Sequence, residues 1–272
     1  MKKFLIIGNP VSHSLSPMLH NYWFKKYKIK GQYSLQKITE EEIKSVIDRI
    51  RTREIEGINV TTPFKQKVIP HIDKLINDAK ATNSVNTVYL KGDDIIGDNT
   101  DVYGIQSGYL KEMEGNIKNK KILIIGAGGV TPSVIVSLNK SNLKNITISN
   151  RTHDKATFLK KSFPNIEILK WREIEKNTQN YDIIINSTSL GLKNGNEFDL
   201  IVEHFKKELI YIDLIYNPIE TKMIKHFKSN QIKTYNGLDM FIYQGQKAFY
   251  LWNKINPEID QNIINLLIDK VR

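Results

Sequence analysis

The sequence predicts an α/β protein of two domains, and three observations carry that prediction. Short apolar runs alternate with amphipathic helical stretches along the whole chain, the pattern of strands and crossover helices. The runs end in small or polar residues, as strands do when a ligand binds at their carboxyl ends. One run, residues 120–125, passes at once into Gly126-Ala127-Gly128-Gly129-Val130 and then into a helical pattern.

In chain order, residues 4–7 form the first strand and stop at Gly8-Asn9-Pro10. Val11-Ser12-His13-Ser14-Leu15-Ser16-Pro17 then opens a helix, with Ser16 as N-cap and Pro17 at the first helical position. Ser14 and Ser16 serve either as turn and cap chemistry or as paired hydroxyls at a ligand-binding strand end. Residues 32–38 predict a second strand. Residues 40–51 predict a helix with Ile43, Val46, Ile47 and Ile50 inward. Residues 55–62 predict a third strand that runs into Asn59-Val60-Thr61-Thr62-Pro63-Phe64-Lys65. Three strands and two helices make a small parallel unit, with Ser14, Ser16, Asn59, Thr61 and Lys65 on one rim.

Residues 66–80 read as helical. Residues 85–90 and 94–96 read as a hairpin turning on Lys91-Gly92-Asp93, with Asn86 in the first arm and Gly97-Asp98-Asn99-Thr100-Asp101 closing the second. Residues 103–113 read as a connecting helix, which places the domain boundary near Asp101.

The glycine turn opens the second domain. Gly126 permits a tight turn, and Gly128 lets the backbone approach a pyrophosphate at the helix N-terminus. Thr131 takes the third glycine position, where a larger side chain asks for more room between helix and strand. Pro132 fits only in the first helical turn. Val134, Ile135 and Leu138 supply the buried face. Residues 145–149 form the next strand, and Asn150-Arg151-Thr152 at its end holds the place where an NAD site has Asp or Glu. A guanidinium pairs with a 2′-phosphate where a carboxylate would repel it, so the reading is NADP(H). Asp154, close by, keeps NAD as the alternative. Strands at 181–185, 209–214 and 232–235 follow, ending in Asn186-Ser187-Thr188-Ser189, Ile215-Tyr216-Asn217-Pro218 and Asn236-Gly237. Residues 238–252 and 257–271 are helical and return to the first domain. The predicted division is therefore 1–101 plus 239–272 and 102–238, the second a Rossmann-type NADP domain.

Composition narrows the class. With 272 residues, 40% hydrophobic and 25% charged, the chain can bury ordinary globular cores. There is no Cys, so disulfides and thiolate metal sites are excluded, and a reducing cytoplasm is expected. No stretch is long enough to span a membrane. The net charge of +11 is spread along the chain without a compact basic block and interleaved aromatics, which argues against nucleic acid. The six His are scattered without metal-ligand spacing. Proton chemistry falls to Lys65, which follows a strand-end Asn-x-Thr-x-Pro run, and to Asp101. From spacing alone, a structural salt bridge explains this pair as well.

Residues 8–17 with His20-Asn21 resemble the N-terminal signature of shikimate dehydrogenases, and Asn59 to Lys65 resembles that family's catalytic-lysine motif. Val85-Asn86-Thr87, Asn99-Thr100-Asp101, Gly126 to Gly129, Asn150-Arg151-Thr152, Asn186 to Ser189, Asp213-x-x-Tyr216-x-Pro218 and Gly237-Leu238…Met240 with Gln244 match in order, over essentially the full length. The resemblance implies that Ser14, Ser16, Asn59, Thr61, Asn86, Tyr216 and Gln244 hold shikimate, with Lys65 and Asp101 as the catalytic pair. It implies that NADP contacts Gly126, Ala127, Gly128, Gly129, Val130, Asn150, Arg151, Thr152, Lys155, Thr188, Leu214 and Gly237. The fold implied is two α/β domains, 1–101 plus 239–272 as an N-terminal substrate domain and 102–238 as a Rossmann-type NADP domain, with the active site in the cleft between them. The reaction implied is reversible NADPH-dependent reduction of 3-dehydroshikimate to shikimate. A quinate/shikimate dehydrogenase of broader cofactor use is the alternative, and a homodimer is compatible with either. Asn83-Ser84 stands where the family usually has Gly-Ala, Val102 where Gly is usual, and Thr131-Pro132 where Ala-Arg is common.

Overall fold

Two six-stranded sheets organise the computed structural model, which describes residues 1–113, 119–193, 195–198, 200 and 202–271. The chain divides into one unit of Met1–Gly104 with Ile242–Lys270 and a second made chiefly of Ile105–Phe241.

The first unit begins with β1 (Lys2–Gly8), α1 (Ser16–Lys26), β2 (Gly31–Lys37), α2 (Ile43–Arg51) and β3 (Gly57–Val60). It continues with β4 (Lys74–Leu75), α3 (Asn77–Thr82), β5 (Thr87–Lys91), β6 (Asp94–Asp98) and α4 (Asp101–Ile105). The sheet order is β2-β1-β3-β5-β6-β4. β1 is parallel to β2 and β3, while β5 is antiparallel to both β3 and β6. The expected three-strand parallel unit is thus half of a mixed sheet, because the hairpin adds its strands to β3 instead of standing apart. Ile43, Val46, Ile47 and Ile50 of α2 are buried, against a core that includes Ile58, Val88 and Ile95. Each such side chain contributes roughly 1.5–3 kcal/mol by leaving water. The helix starts three residues later than 40, since the Glu42 carboxylate accepts the Thr39 N–H at 2.7 Å and holds a turn there.

Two further expectations are corrected in this unit. Residues 66–80 are not one helix. A single 3₁₀ turn, Ile69–His71, contains Pro70, which has no N–H to continue a helix. The Asp73 and Ile76 N–H groups instead donate to the Ile95 and Gly97 carbonyls, drawing Lys74–Leu75 onto the sheet edge as β4. Ser16 is the first residue of α1, not its cap. Leu15 occupies the N-cap, and the Ser16 N–H donates to Ser14 Oγ at 3.2 Å.

The second unit contains β7 (Ile122–Ile125), α5 (Thr131–Lys140), β8 (Ile146–Ser149), α6 (His153–Ser162), β9 (Glu167–Ile168) and α7 (Ile174–Asn177). β10 (Ile183–Asn186), β11 (Ile210–Asp213), α8 (Lys222–Ser229) and β12 (Lys233–Tyr235) complete its sheet. The order is β12-β11-β10-β7-β8-β9, every pair parallel. The chain winds outward from β7 in both directions, so the strand order reverses between β7 and β10. A doubly wound sheet opens its ligand crevice at the carboxyl ends beside such a reversal. Apolar side chains cover both faces, with Ile122, Ile124, Ile148 and Ile185 in one core and Leu123, Ile125, Ile184 and Tyr211 in the other. This two-sided burial is why the strands read as continuous apolar runs. Every residue from Thr131 to Leu138 in α5 is buried, more than the three expected.

The connecting helix departs from its predicted 103–113 span. It begins at Asp101 and widens after Ile105 into a π-helical turn, Gln106–Leu110, in which the Lys111 N–H donates to the Gln106 carbonyl. α9 (Leu238–Asn253) carries the chain from the second unit back to the first, and α10 (Gln261–Val271) follows it. α10 starts four residues after 257. Among the described residues, no helix is long and apolar enough to cross a membrane.

Candidate active site

The loop after β3 and the turn before α4 bring Lys65 and Asp101 together. Lys65 Nζ lies 2.6 Å from Asp101 Oδ2, with the two side chains 13% and 7% exposed. The other carboxylate oxygen, Oδ1, accepts from Asn86 Nδ2 at 2.8 Å. Asn86 itself is fixed, since its Oδ1 accepts the Thr100 N–H at 2.8 Å and the Thr87 hydroxyl at 2.9 Å. The Asn99 side chain accepts the Asp101 N–H at 3.0 Å and closes the turn locally. Asp101 therefore has both oxygens committed and little freedom to rotate. An ammonium has three N–H donors, and Asp101 takes one, leaving the others to meet a ligand.

The loop that carries Lys65 is braced from both sides. The Lys65 carbonyl accepts the Val85 N–H at 2.8 Å. Asn83 has φ 46° and ψ 43°, the left-handed conformation that Gly would take freely and Asn tolerates. This departure from the family pattern thus keeps the backbone geometry.

The remaining substrate candidates of the first unit differ in character. Ser14 is part-exposed, and its hydroxyl donates to Ser16 Oγ at 3.1 Å. Thr61 is part-exposed and packs its methyl against Gly8, where a Cβ would collide with it. Gln244 lies part-exposed on α9. Asn59 is 5% exposed with its amide spent inside the protein: Oδ1 accepts from Tyr33 at 2.7 Å, and Nδ2 donates to the Asn86 carbonyl and to Thr87 Oγ1. It is a support for Asn86 and not an open hydrogen-bonding group. Tyr216 belongs to the second unit, where its ring stacks on Phe241 at 4.7 Å.

The glycine turn of the second unit fits a dinucleotide. Gly126 has φ +121°, and a Cβ there would stand 2.6 Å from Ser187 Oγ. Gly128 is open instead, with nothing nearer to its missing Cβ than the Ser187 carbonyl at 3.9 Å. The first glycine is demanded by the fold, and the second leaves the approach that a pyrophosphate needs. Thr131 does not crowd the helix as expected. Its buried hydroxyl accepts the Gly128 N–H at 3.0 Å, meets Ser187 Oγ at 3.0 Å and reaches the Gly126 carbonyl at 3.3 Å. It replaces the small residue by tying the turn together. Asn150 accepts the Ala127 N–H and donates to the Thr152 carbonyl, which fixes Arg151 between them. Arg151, Thr152 and Lys155 are exposed at the start of α6, with Gly129 and Val130 at the start of α5. Thr188 is oriented by Asn186 Oδ1, which accepts its hydroxyl at 2.7 Å. Gly237 abuts the Leu214 carbonyl so closely that no side chain is admitted.

Buried Asp213 anchors the two loops beside this turn. Its carboxylate accepts from Asn186 Nδ2, Tyr211, Thr221 and the Ile215 N–H. Burial pushes its pKa upward, against four hydrogen bonds that lower it. The Asp-x-x-Tyr spacing was the sequence signal for this group, whereas Thr221 carried none.

Comparison with known proteins settles the family. A family model described as the shikimate dehydrogenase substrate binding domain matches residues 6–88, and one for shikimate / quinate 5-dehydrogenase matches residues 109–236. The NADP(+) shikimate dehydrogenase of Pelagibacter ubique is 50% identical over 98% of each chain. The chain belongs to the shikimate dehydrogenase family. The NADP(+) shikimate dehydrogenase of Bacillus subtilis is 34% identical over 96% of this chain and 95% of its own. A shikimate dehydrogenase crystallised with NADP+ superposes with a TM-score of 0.90 at 35% identity, covering all of this chain and 96% of the other. The Thermus thermophilus enzyme in complex with NADP(H) and shikimate superposes at 0.85 with 27% identity over the whole of both chains.

Proposed function

We propose that this chain catalyses the reversible, NADPH-dependent reduction of 3-dehydroshikimate to shikimate, with Lys65 as proton donor and Asp101 as its orienting partner. The observation that carries the assignment of roles is the 2.6 Å Lys65–Asp101 pair, in which Asn86 occupies the second carboxylate oxygen. Bound NADPH supplies the hydride to the substrate ketone. Lys65 donates a proton to the oxygen that becomes the alkoxide and accepts it back in the reverse direction. Asp101 holds the ammonium where that oxygen arrives. Ser14, Ser16 and Thr61 supply hydroxyls to the substrate, Asn86 and Gln244 supply amides, and Tyr216 supplies a phenol. The turn from Gly126 to Val130 takes the pyrophosphate, Arg151 with Asn150, Thr152 and Lys155 takes the 2′-phosphate, and Thr188, Leu214 and Gly237 take the nicotinamide end. Residues 1–101 with 239–272 act as the substrate domain and 102–238 as the cofactor domain. The absence of Cys suits a reducing cytoplasm.

Shikimate-dependent reduction of NADP+, with quinate and NAD+ as parallel arms, tests the reading. Turnover with shikimate and NADP+ alone supports it. Equal turnover with quinate or NAD+ moves the chain to the broader quinate/shikimate dehydrogenase, and silence in all four pairings overturns it. The cofactor assignment has its own check. Arg151→Ala is expected to raise the NADP+ KM roughly 10- to 100-fold, the worth of one or two charge-assisted hydrogen bonds, with little change in kcat. An unchanged KM would move the 2′-phosphate away from Arg151.

A further inference from the structure

Tyr33 stands in β2, outside every motif that suggested the site, yet its hydroxyl joins the two halves of the substrate machinery in the first unit. It is 2% exposed and donates to Asn59 Oδ1 at 2.7 Å. Asn59 passes that constraint on, through Nδ2, to the Asn86 carbonyl at 3.0 Å, and Asn86 grips Asp101. On its other side Ser16 lies close enough to the Tyr33 oxygen to favour its ionised form against the burial that disfavours it. Ser16 Oγ in turn accepts from Ser14 at 3.1 Å. One hydrogen-bonded chain therefore runs Tyr33, Asn59, Asn86, Asp101, with the Ser14–Ser16 pair beside its Tyr33 end, and Ser16, Asn59 and Asn86 are each 5% exposed or less.

The rest of the unit holds Tyr33 rigidly. Asn21 donates from Nδ2 to the Tyr33 carbonyl and accepts the Tyr33 N–H at Oδ1, both at 2.9 Å. These two bonds satisfy backbone groups on the outer edge of β2, where a neighbouring strand would otherwise dock. His20 lies flat on the Tyr33 ring, centroids 4.4 Å apart and planes within 5°. The adjacent pair His20-Asn21 thus fixes both ring and backbone of one tyrosine.

We propose that Tyr33 is a positioning residue for this reaction: its hydroxyl sets the Ser14–Ser16 pair and the Asn86–Asp101–Lys65 group in register, so that a substrate held by the first is presented to the second. Removing this buried hydroxyl leaves Asn59 Oδ1 without its donor and opens a gap beside Ser16, which loosens the register between the two groups. The inference rests on the proposed shikimate reaction.

Tyr33→Phe keeps the ring, the His20 stack and the Asn21 bonds, and tests the hydroxyl alone. The expected result is a shikimate KM raised at least fivefold, with the NADP+ KM within twofold of wild type. Ser16→Ala reaches the same contact from the other side, and the double variant is expected to match Ser16→Ala alone in shikimate KM. A merely structural tyrosine would lower the melting temperature and leave this split unmoved. If wild type oxidises shikimate and Tyr33→Phe keeps its KM, or if the two substitutions multiply independently, the positioning role is overturned while the function stands. If wild type neither binds nor oxidises shikimate, the functional reading fails first and takes this proposal with it.

Discussion

Lys65→Ala is expected to lower shikimate-dependent NADP+ reduction by roughly 10²–10⁴-fold, the range a positioned general acid supplies, while NADPH binding stays within twofold. The two effects separate because Lys65 sits in the first unit and the glycine turn in the second. Stopped-flow turnover and fluorescence titration of NADPH on the same preparation read both quantities. The substitution also removes the partner of a carboxylate only 7% exposed. Breaking a buried pair costs about 3–5 kcal/mol when the remaining charge has no other support. Asp101 retains the Asn86 amide and the N-terminal turn of α4, so the stability loss is expected at or below the lower end of that range. Wild-type turnover in Lys65→Ala would make the pair a structural ion pair and remove the proton assignment. A broadly unfolded protein would say the same of its role, and Lys65→Met, which keeps the aliphatic stem, separates that outcome from lost chemistry.

Acid should destabilise the first unit through His20. This imidazole is fully buried among Trp23, Tyr33, Phe249 and Trp252, and among the described residues neither ring nitrogen has a hydrogen-bond partner. Burial lowers its pKa from the usual 6.5 to about 3. The sign follows from proton counting. Between pH 6.5 and 3 the unfolded chain holds a proton that the folded chain refuses, so stability falls as pH falls through this window. Above pH 6.5 both states are neutral and the group contributes no slope. Below about pH 3 both are protonated and the loss is complete. One pH unit corresponds to about 1.4 kcal/mol, so roughly 2 kcal/mol is lost by pH 5, and the full window amounts to about 4–5 kcal/mol. That is a large share of a typical net stability of about 5–15 kcal/mol. Urea midpoints at pH 7.5 and 5.0 measure it. His20→Phe offers a ring of similar shape to the same stack and should flatten that part of the pH dependence. An identical pH slope in the variant would assign the acid sensitivity to other groups.

Local chemistry was legible wherever neighbours in sequence act on each other. The turn at Gly126 with its flanking strands, the inward face of α2 and the hairpin on Gly92-Asp93 each follow from a period or a turn residue a few positions long. The family motifs also marked Lys65, Asn86 and Asp101 one at a time. The sequence by itself thus determined the fold class, the parallel nucleotide-type sheet and the residue types available for proton transfer and anion binding.

The tertiary structure decided which of those residues meet. Lys65 and Asp101 are 36 positions apart, and only the pairing of β3 with β5 and of β5 with β6 closes that gap to one hydrogen bond. Asn59 read as a polar group at a strand end, but burial turned its amide inward onto Tyr33 and Asn86, because an unpaired amide cannot be left in a dry interior. Thr131 read as a misfit for glycine, and it became a hydrogen-bonding centre because Gly126, Gly128 and Ser187 converge on it from separate strand ends. Tyr33 read as an ordinary strand residue, since nothing in an alternating pattern says what a buried hydroxyl will face. The physical reason is common to all of them: propensity and periodicity act over a few residues, whereas desolvation obliges each buried polar group to find a partner wherever the fold brings one.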